Sequence, residues 1–190
     1  MIITFLNGKG GVGKSTSAML VACALAQNDL QVGVIDKDDQ GTATQWVHNL
    51  GMDNLRLLTK ITPGFDHYII DTPPLLRSPE LVESLRSSEA ALVVSSPSPA
   101  DLYVSQRTAA LVNEHLPDPQ RGRLLFNQMV RNSVLSREVD SYSEVIGLQR
   151  MRNTLATRQS YQHAISLGFN ALDATAKQEV LNLAIEILSI

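Results

Sequence analysis

The strongest chemical signal in the chain is the run GKGGVGKS, residues 8–15, which matches G-x-x-x-x-G-K-[ST] at every fixed position. Glycines Gly8, Gly10, Gly11 and Gly13, with Val12 among them, let the backbone curl until several N–H groups face one anion. Lys14 supplies a point charge for β- and γ-phosphates, the Ser15 hydroxyl is placed for Mg2+, and Thr16 can donate to an α-phosphate. The run follows an apolar segment and opens an Ala-rich one, so the positive end of a helix dipole adds to the cradle. The expected cofactors are ATP and Mg2+.

Acids at the ends of apolar runs give the cradle its partners. A phosphate-binding loop needs a carboxylate at a neighbouring strand end to hold the water shell of the metal. Asp71 closes HYIID and meets that need, while Asp36 and Asp38 follow a second apolar run in DKDDQG. Asp36 is read as support for the metal shell with Ser15 and Asp71, and Asp38 as the group that orients an attacking water.

These residues need a scaffold that brings strand ends together. Apolar runs at 1–7, 31–36, 67–71, 90–95 and 123–127 read as strands, with 56–59 a minor one and Leu155 the start of a last short one. Residues 15–27 are apolar almost all round and predict a buried helix. Residues 41–50, a stretch opened by Ser78-Pro79-Glu80, a stretch to His115 capped by Asp101, and residues 133–146 predict further helices. Val180, Leu183, Ala184, Ile187 and Leu188 mark one face of a helix near the carboxyl end. The proline-containing stretches 72–74, 97–99 and 117–119 read as loops. Strands alternating with helices predict an α/β fold, a mostly parallel twisted sheet with helices on both faces and ligands at the carboxyl ends of the strands.

The bulk numbers narrow the class. A length of 190 residues suits one α/β domain, 1–190, and 44% hydrophobic with 18% charged residues suits a folded core. A net charge of −3 leaves nucleic-acid contact to a local patch. The single cysteine, Cys23, fits a reducing cytoplasm. MIITFLNG has no basic segment of a signal peptide, and no apolar run approaches the roughly 18 residues of a membrane span.

At this point the motifs resemble a known family. KGGVGKST, residues 9–16, resembles the deviant Walker A box of the ParA/MinD ATPases. DKDDQG resembles that family's second acidic box, usually D-x-D-P-Q-G, with Asp39 in place of the proline. YIIDTPP resembles its Walker B strand, and SSPSPAD, LLFNQ and RQSYQHAISLG extend the similarity along the chain. The resemblance implies a P-loop NTPase fold and a nucleotide-sandwich homodimer formed with ATP. In it Lys9 is the signature lysine that reaches the partner's nucleotide, and Asn127 reads the adenine edge.

The sequence also separates branches of that family. Iron–sulfur members need a cysteine pair, which a lone Cys23 does not supply. MinD-like members end in a basic amphipathic helix, whereas AKQEVLNLAIEILSI holds one Lys and two Glu, so no membrane partner is expected. Between residues 121 and 158 seven arginines stand against three acids, a local footprint for nonspecific DNA. Arg131, Arg152 and Arg158 are its candidate contacts, and Arg158 lies where ParA-like proteins carry a DNA-contacting arginine. The cradle begins at residue 8, so no sequence-specific module is expected before it. The expectation is a cytoplasmic, nucleoid-associated ATPase with slow hydrolysis stimulated by a ParB-like adaptor, positioning a plasmid, a chromosome region or a protein cargo such as a carboxysome. Two alternatives stay open: a MinD-like membrane-surface positioning ATPase and an ATP-dependent metabolic ligase on the same scaffold.

Overall fold

Six runs rich in Ile, Val and Leu extend into strands: β1 Ile2–Leu6, β2 Val32–Asp36, β3 Leu55–Leu57, β4 His67–Asp71, β5 Ala90–Ser95 and β6 Gly122–Phe126. The computed structural model describes residues 1–130 and 133–190. The strands form one sheet in the order β3-β2-β4-β1-β5-β6, with every neighbouring pair parallel. Parallel neighbours require crossovers, and the helices supply them. These are α1 Lys14–Ala26, α2 Thr42–Leu50, α3 Pro79–Ser87, α4 Pro99–His115, α5 Val134–Arg137, α6 Val139–Ile146, α7 Gln159–Leu167 and α8 Ala174–Leu188.

Side chains alternate across the sheet and divide the core in two. Ile3, Phe5, Val34, Ile69 and Leu92 pack with α1, α2, α7 and α8. Leu6, Val93, Leu124 and Phe126 pack on the other face against Leu85, Val112 and Ile146 from α3, α4 and α6. Helix α1 lies against the sheet and is itself covered by α2, α7 and α8, which is why its sequence is apolar all round.

Register levels the functional edge. Phe5 pairs with Asp71, and Asp36 pairs with Asp71, so β1, β2 and β4 end together where the loop after β1 begins. In open parallel sheets such an edge is where ligands bind.

Five local expectations are corrected. Asp101 does not cap α4. Pro99, with its fixed φ, takes the first helical position, so the helix starts after Ser98 and Asp101 lies in its first turn. Pro99 is therefore helix rather than loop. The stretch 133–146 is two helices, broken at Glu138, where φ is −97° and ψ 0°. The strand expected from Leu155 is an irregular segment beside β6. It is held by isolated bridges Leu124–Arg150 and Met129–Ala156 and by Leu155 N–H on Phe126 O at 3.0 Å. Along α8, Val180, Leu183, Ala184 and Ile187 are buried, but Leu188 is 38% exposed because the helix ends there.

Candidate nucleotide site

The loop after β1 has the shape its glycines demand. Gly11 and Gly13 adopt φ of 78° and 87°, in the left-handed region that side chains resist. A Cβ on Gly13 would meet Asn127 Nδ2 at 2.0 Å. A Cβ on Gly8 would meet Leu76 Cγ at 2.4 Å, so the loop after β4 packs directly on the cradle. Gly10 faces open space.

Lys14 opens α1 at 5% exposure, and its Nζ donates to Lys9 O at 3.2 Å, closing the loop over itself. Burial lowers the Lys14 pKa, while the charges of Asp71 and Asp38 act in the opposite direction. Ser15 and Thr16 follow on the first turn, both half-buried.

The three acids behave differently. Asp71 is fully buried, and neither carboxylate oxygen has a hydrogen-bond partner of good geometry. Burial pushes its pKa up to about 7; Asp36 and Asp38 add to the rise, and the Ser15 hydroxyl and Lys14 oppose it. Asp36 is committed locally. One oxygen accepts from Asp38 N–H at 3.0 Å, and the other accepts from both Thr44 N–H and Thr44 Oγ1 at 2.8 Å. Asp38 accepts from Gln40 N–H at 3.0 Å in a turn closed by Gly41 N–H on Asp38 O at 2.9 Å. Asp36 thus fastens the acidic loop to the start of α2, and Asp38 is held within electrostatic reach of Lys14.

The residues present fit a magnesium nucleotide. The buried Asp71 carboxylate has no hydrogen-bond partner of good geometry and would be relieved by a cation, and the nearby Lys14 ammonium would be matched by a phosphate. Among the described residues no three His, Cys, Asp or Glu cluster as a metal cage. Mg2+ keeps waters and phosphates as ligands, so the Ser15 hydroxyl and the Asp71 carboxylate beside a bound nucleotide would fit it.

Sequence reading named Asn127 only as the reader of an adenine edge and missed two groups of contacts that hold this site. Asn127, 4% exposed, donates from Nδ2 to Val12 O at 2.9 Å, and Gln128 donates from Nε2 to Gly11 O at 2.9 Å. Gln128 does so at φ 57°, an uncommon conformation for a residue with a side chain. The Asn-Gln pair after β6 was the available signal; its target carbonyls were not. The second group is polar and lies under the loop: Asn7, Ser95, Ser96, Asp101, Ser105 and Thr108 are all buried. Asn7 Oδ1 accepts Lys9 N–H at 3.0 Å, and Gly8 N–H donates to Thr108 Oγ1 at 3.2 Å. The Lys9 ammonium reaches Asp101 Oδ1 at 3.1 Å.

A cleft of about 270 Å3 opens beside the cradle, lined by Gly13, Thr16, Asn127, Gln128, Ala156, Thr157, Arg158, Tyr161 and Gln162. It has the position and size for the nucleoside end of a ligand held by residues 8–15. Arg158 lines it and is engaged: Nε donates to Glu179 at 2.8 Å, and a second nitrogen lies 3.9 Å from Asp173. Tyr161 shares Glu179, and burial with that hydrogen bond pushes its phenol up. The other arginines separate from it. Arg123, Arg150 and Arg152 line a groove of about 490 Å3 against the end of α8, with Arg152 exposed and Arg150 paired to Asp140. Arg131 lies outside the described residues. Cys23 is buried in α1, and burial pushes its thiol up to about 12, so it is a packing residue.

Residues 3–187 match the CobQ/CobB/MinD/ParA nucleotide-binding domain. The chain belongs to this family. Within it, the chain is similar to the maintenance of carboxysome distribution protein A of Gloeobacter kilaueensis, 37% identical over 114 residues, which cover 54% of this chain and 52% of the relative. The match therefore spans about half the length of that protein. Protein ParA of Rhizobium radiobacter is 23% identical over 203 residues, covering 97% of this chain and 91% of the relative. The ATP complex of McdA from Cyanothece superposes with a TM-score of 0.80 at 16% identity, covering 100% of this chain and 96% of that one. At that identity the likeness is one of fold. It agrees with the family's parallel α/β architecture and with the fold class read from the sequence. Among the described residues no helix is long and apolar enough to cross a membrane.

Proposed function

We propose that the chain is a ParA-like positioning ATPase, which binds Mg-ATP, pairs with a second copy and uses hydrolysis to undo that pairing. The observation that carries this reading is the Asp71 carboxylate, buried and unpartnered at the strand end that faces Ser15 and Lys14. Its support from relatives is membership of the nucleotide-binding family together with the likeness to a carboxysome-distribution protein and to ParA.

In this reading the backbone of Gly8, Gly10, Gly11, Val12 and Gly13 cradles the phosphates, and Lys14 holds the β- and γ-phosphates. Thr16 donates to the α-phosphate. Ser15, Asp71 and Asp36 would hold Mg2+ and its waters, Asp36 by fixing the loop. Mg2+ would neutralise charge on the phosphates and the leaving group. Asp38 orients the attacking water. Asn127 keeps one amide hydrogen on the loop and offers the rest of its amide to the adenine edge. Lys9 serves the nucleotide of a partner copy, which couples ATP to dimerisation. Hydrolysis is slow until a ParB-like adaptor stimulates it.

Nonspecific DNA is the surface on which the ATP form is retained, in the cytoplasm over the nucleoid. Arg131 and Arg152 are its proposed contacts, of which Arg152 is exposed, and Arg158 joins only by releasing Glu179. The cargo is a plasmid, a chromosome region or a protein assembly such as a carboxysome. The test is retention of purified protein on nonspecific DNA and on anionic liposomes, each with ATP and with ADP. ATP-dependent retention on DNA alone is expected. Retention on liposomes alone would replace this reading with membrane-surface positioning, and retention on neither would favour a small-molecule ligase.

A further inference from the structure

We infer that Asp101 is a positioning residue that parks Lys9 within its own chain, so that Lys9 must leave Asp101 before it can serve a second copy. The inference rests on the sandwich-dimer reading above and names how that step is controlled.

The carboxylate is built to receive a cation. Lys9 Nζ lies 3.1 Å from Asp101 Oδ1; the Asp101 side chain is 13% exposed and that of Lys9 43% exposed. Asp101 Oδ2 accepts the Ser96 hydroxyl at 2.6 Å, which fixes the carboxylate from behind. Ser96 is itself 7% exposed and follows β5. Helix α4 is then tied to the cradle through its inner face. Asn7 Nδ2 bonds Ser105 Oγ at 2.9 Å, and Ser105 Oγ donates to Asp101 O at 2.8 Å. Lys9 N–H and Gly8 N–H close the same network on Asn7 and Thr108. The backbone of both partners is held, and the Lys9 side chain remains the part free to move.

A lysine on an ordinary exposed loop would be solvated, with no anchored acid waiting for it. Here one ammonium has two possible anions, the carboxylate of Asp101 and a phosphate of the partner's nucleotide. Occupying one vacates the other, so Asp101 stabilises the single copy and raises the threshold for pairing. A triphosphate carries more charge near the cradle than a diphosphate and competes better with a single carboxylate. The contact therefore sharpens the distinction between ATP and ADP.

The experiment measures the dimer dissociation constant of the full chain by sedimentation in Mg2+ with AMPPNP, and nucleotide binding by calorimetry. Asp101→Asn should tighten the dimer about 5-fold, the size of a partly exposed ion pair. Asp101→Glu should return it toward the wild-type value. In a Lys9→Ala background, Asp101→Asn should bring no gain. A dimer no tighter in Asp101→Asn, or an equal gain without Lys9, would overturn the latch while leaving the sandwich reading intact. Wild-type protein that binds AMPPNP yet stays monomeric would overturn both. Should Asp101→Asn lose its folded circular-dichroism signal, Ser96→Ala replaces it. That variant keeps the carboxylate but removes its anchor, and a smaller tightening is expected; none at all overturns the proposal.

Discussion

Asp36 and Asp71 are register partners on neighbouring strands, yet Asp36 spends both carboxylate oxygens on its own loop and Asp71 spends neither. Two acids at one strand edge thus have opposite characters. Asp36 organises the acidic loop, and Asp71 is left as a desolvated carboxyl that a proton or an added cation would relieve.

That difference predicts a pH dependence. A folded-state pKa raised from 3.8 to about 7 means that the unfolded chain loses this proton first as pH rises. Stability of the nucleotide-free protein should fall between about pH 4 and pH 7 and be flat for this group above that window, with about 4 kcal/mol as an upper bound. Asp71→Asn removes the carboxylate and the loss. The variant should be more stable than wild type at pH 8 and closer to it at pH 5, and the comparison cancels other titrating groups. Urea unfolding at both pH values, without Mg2+ or nucleotide, checks this; an unchanged gap would remove the assignment.

Gly13 and Asn127 predict a coupled pair. Gly13→Ala adds a Cβ where φ is 87° and where Asn127 Nδ2 would lie 2.0 Å away. The left-handed conformation alone costs about 1 kcal/mol for alanine. Asn127→Ala leaves Val12 O without its donor, at about 1–3 kcal/mol. Because the second change also clears the clash, the double variant should be less destabilised than the two singles added together. Additive values in denaturant titrations would show that Asn127 does not buttress the loop.

The cradle was legible in the sequence because each of its parts is a backbone requirement tied to a residue type. Gly11 and Gly13 need positive φ, Lys14 opens the helix, and Asp71 ends an apolar run. The strands were legible for the same reason, since burial on both faces forces apolar runs. The Lys9–Asp101 contact was not, because 92 positions separate the partners and only packing of α4 against the cradle joins them. The pairing of Arg158 with Glu179 was not legible either, because the sequence reading took residues 121–158 as one basic region. Folding sends Arg158 to the cleft beside Gly13 and sends Arg152 to another groove. Charge counted along a chain does not say which cleft each side chain lines, even when both sit beside α8.

Lys14 and Asp38 should separate binding from turnover. Lys14→Ala removes the buried ammonium, and ATP affinity should fall about 100-fold. Asp38→Ala leaves the cradle intact, so affinity should stay within about 3-fold while turnover falls by at least about 100-fold. Calorimetry with ATP and a phosphate-release assay distinguish the two. Unchanged turnover in Asp38→Ala would move water positioning to another group.

Arg152 and Arg158 should separate DNA contact from folding. Arg152 is exposed, and its backbone N–H, rather than its guanidinium, holds Glu186 at 2.6 Å. Arg152→Ala should leave the unfolding temperature unchanged and lower the salt dependence of DNA retention by about one counterion. Arg158→Ala instead strips Glu179 of its guanidinium at the rim of the cleft beside Gly13 and Thr16. It should lower stability by about 1 kcal/mol or more and weaken nucleotide binding along with DNA retention. Thermal unfolding, ATP calorimetry and a salt series of DNA retention on both variants decide the matter. Loss of DNA retention in Arg158→Ala with stability and ATP affinity unchanged would show that its ties to Glu179 and Asp173 are dispensable and that Arg158 is itself a phosphate contact.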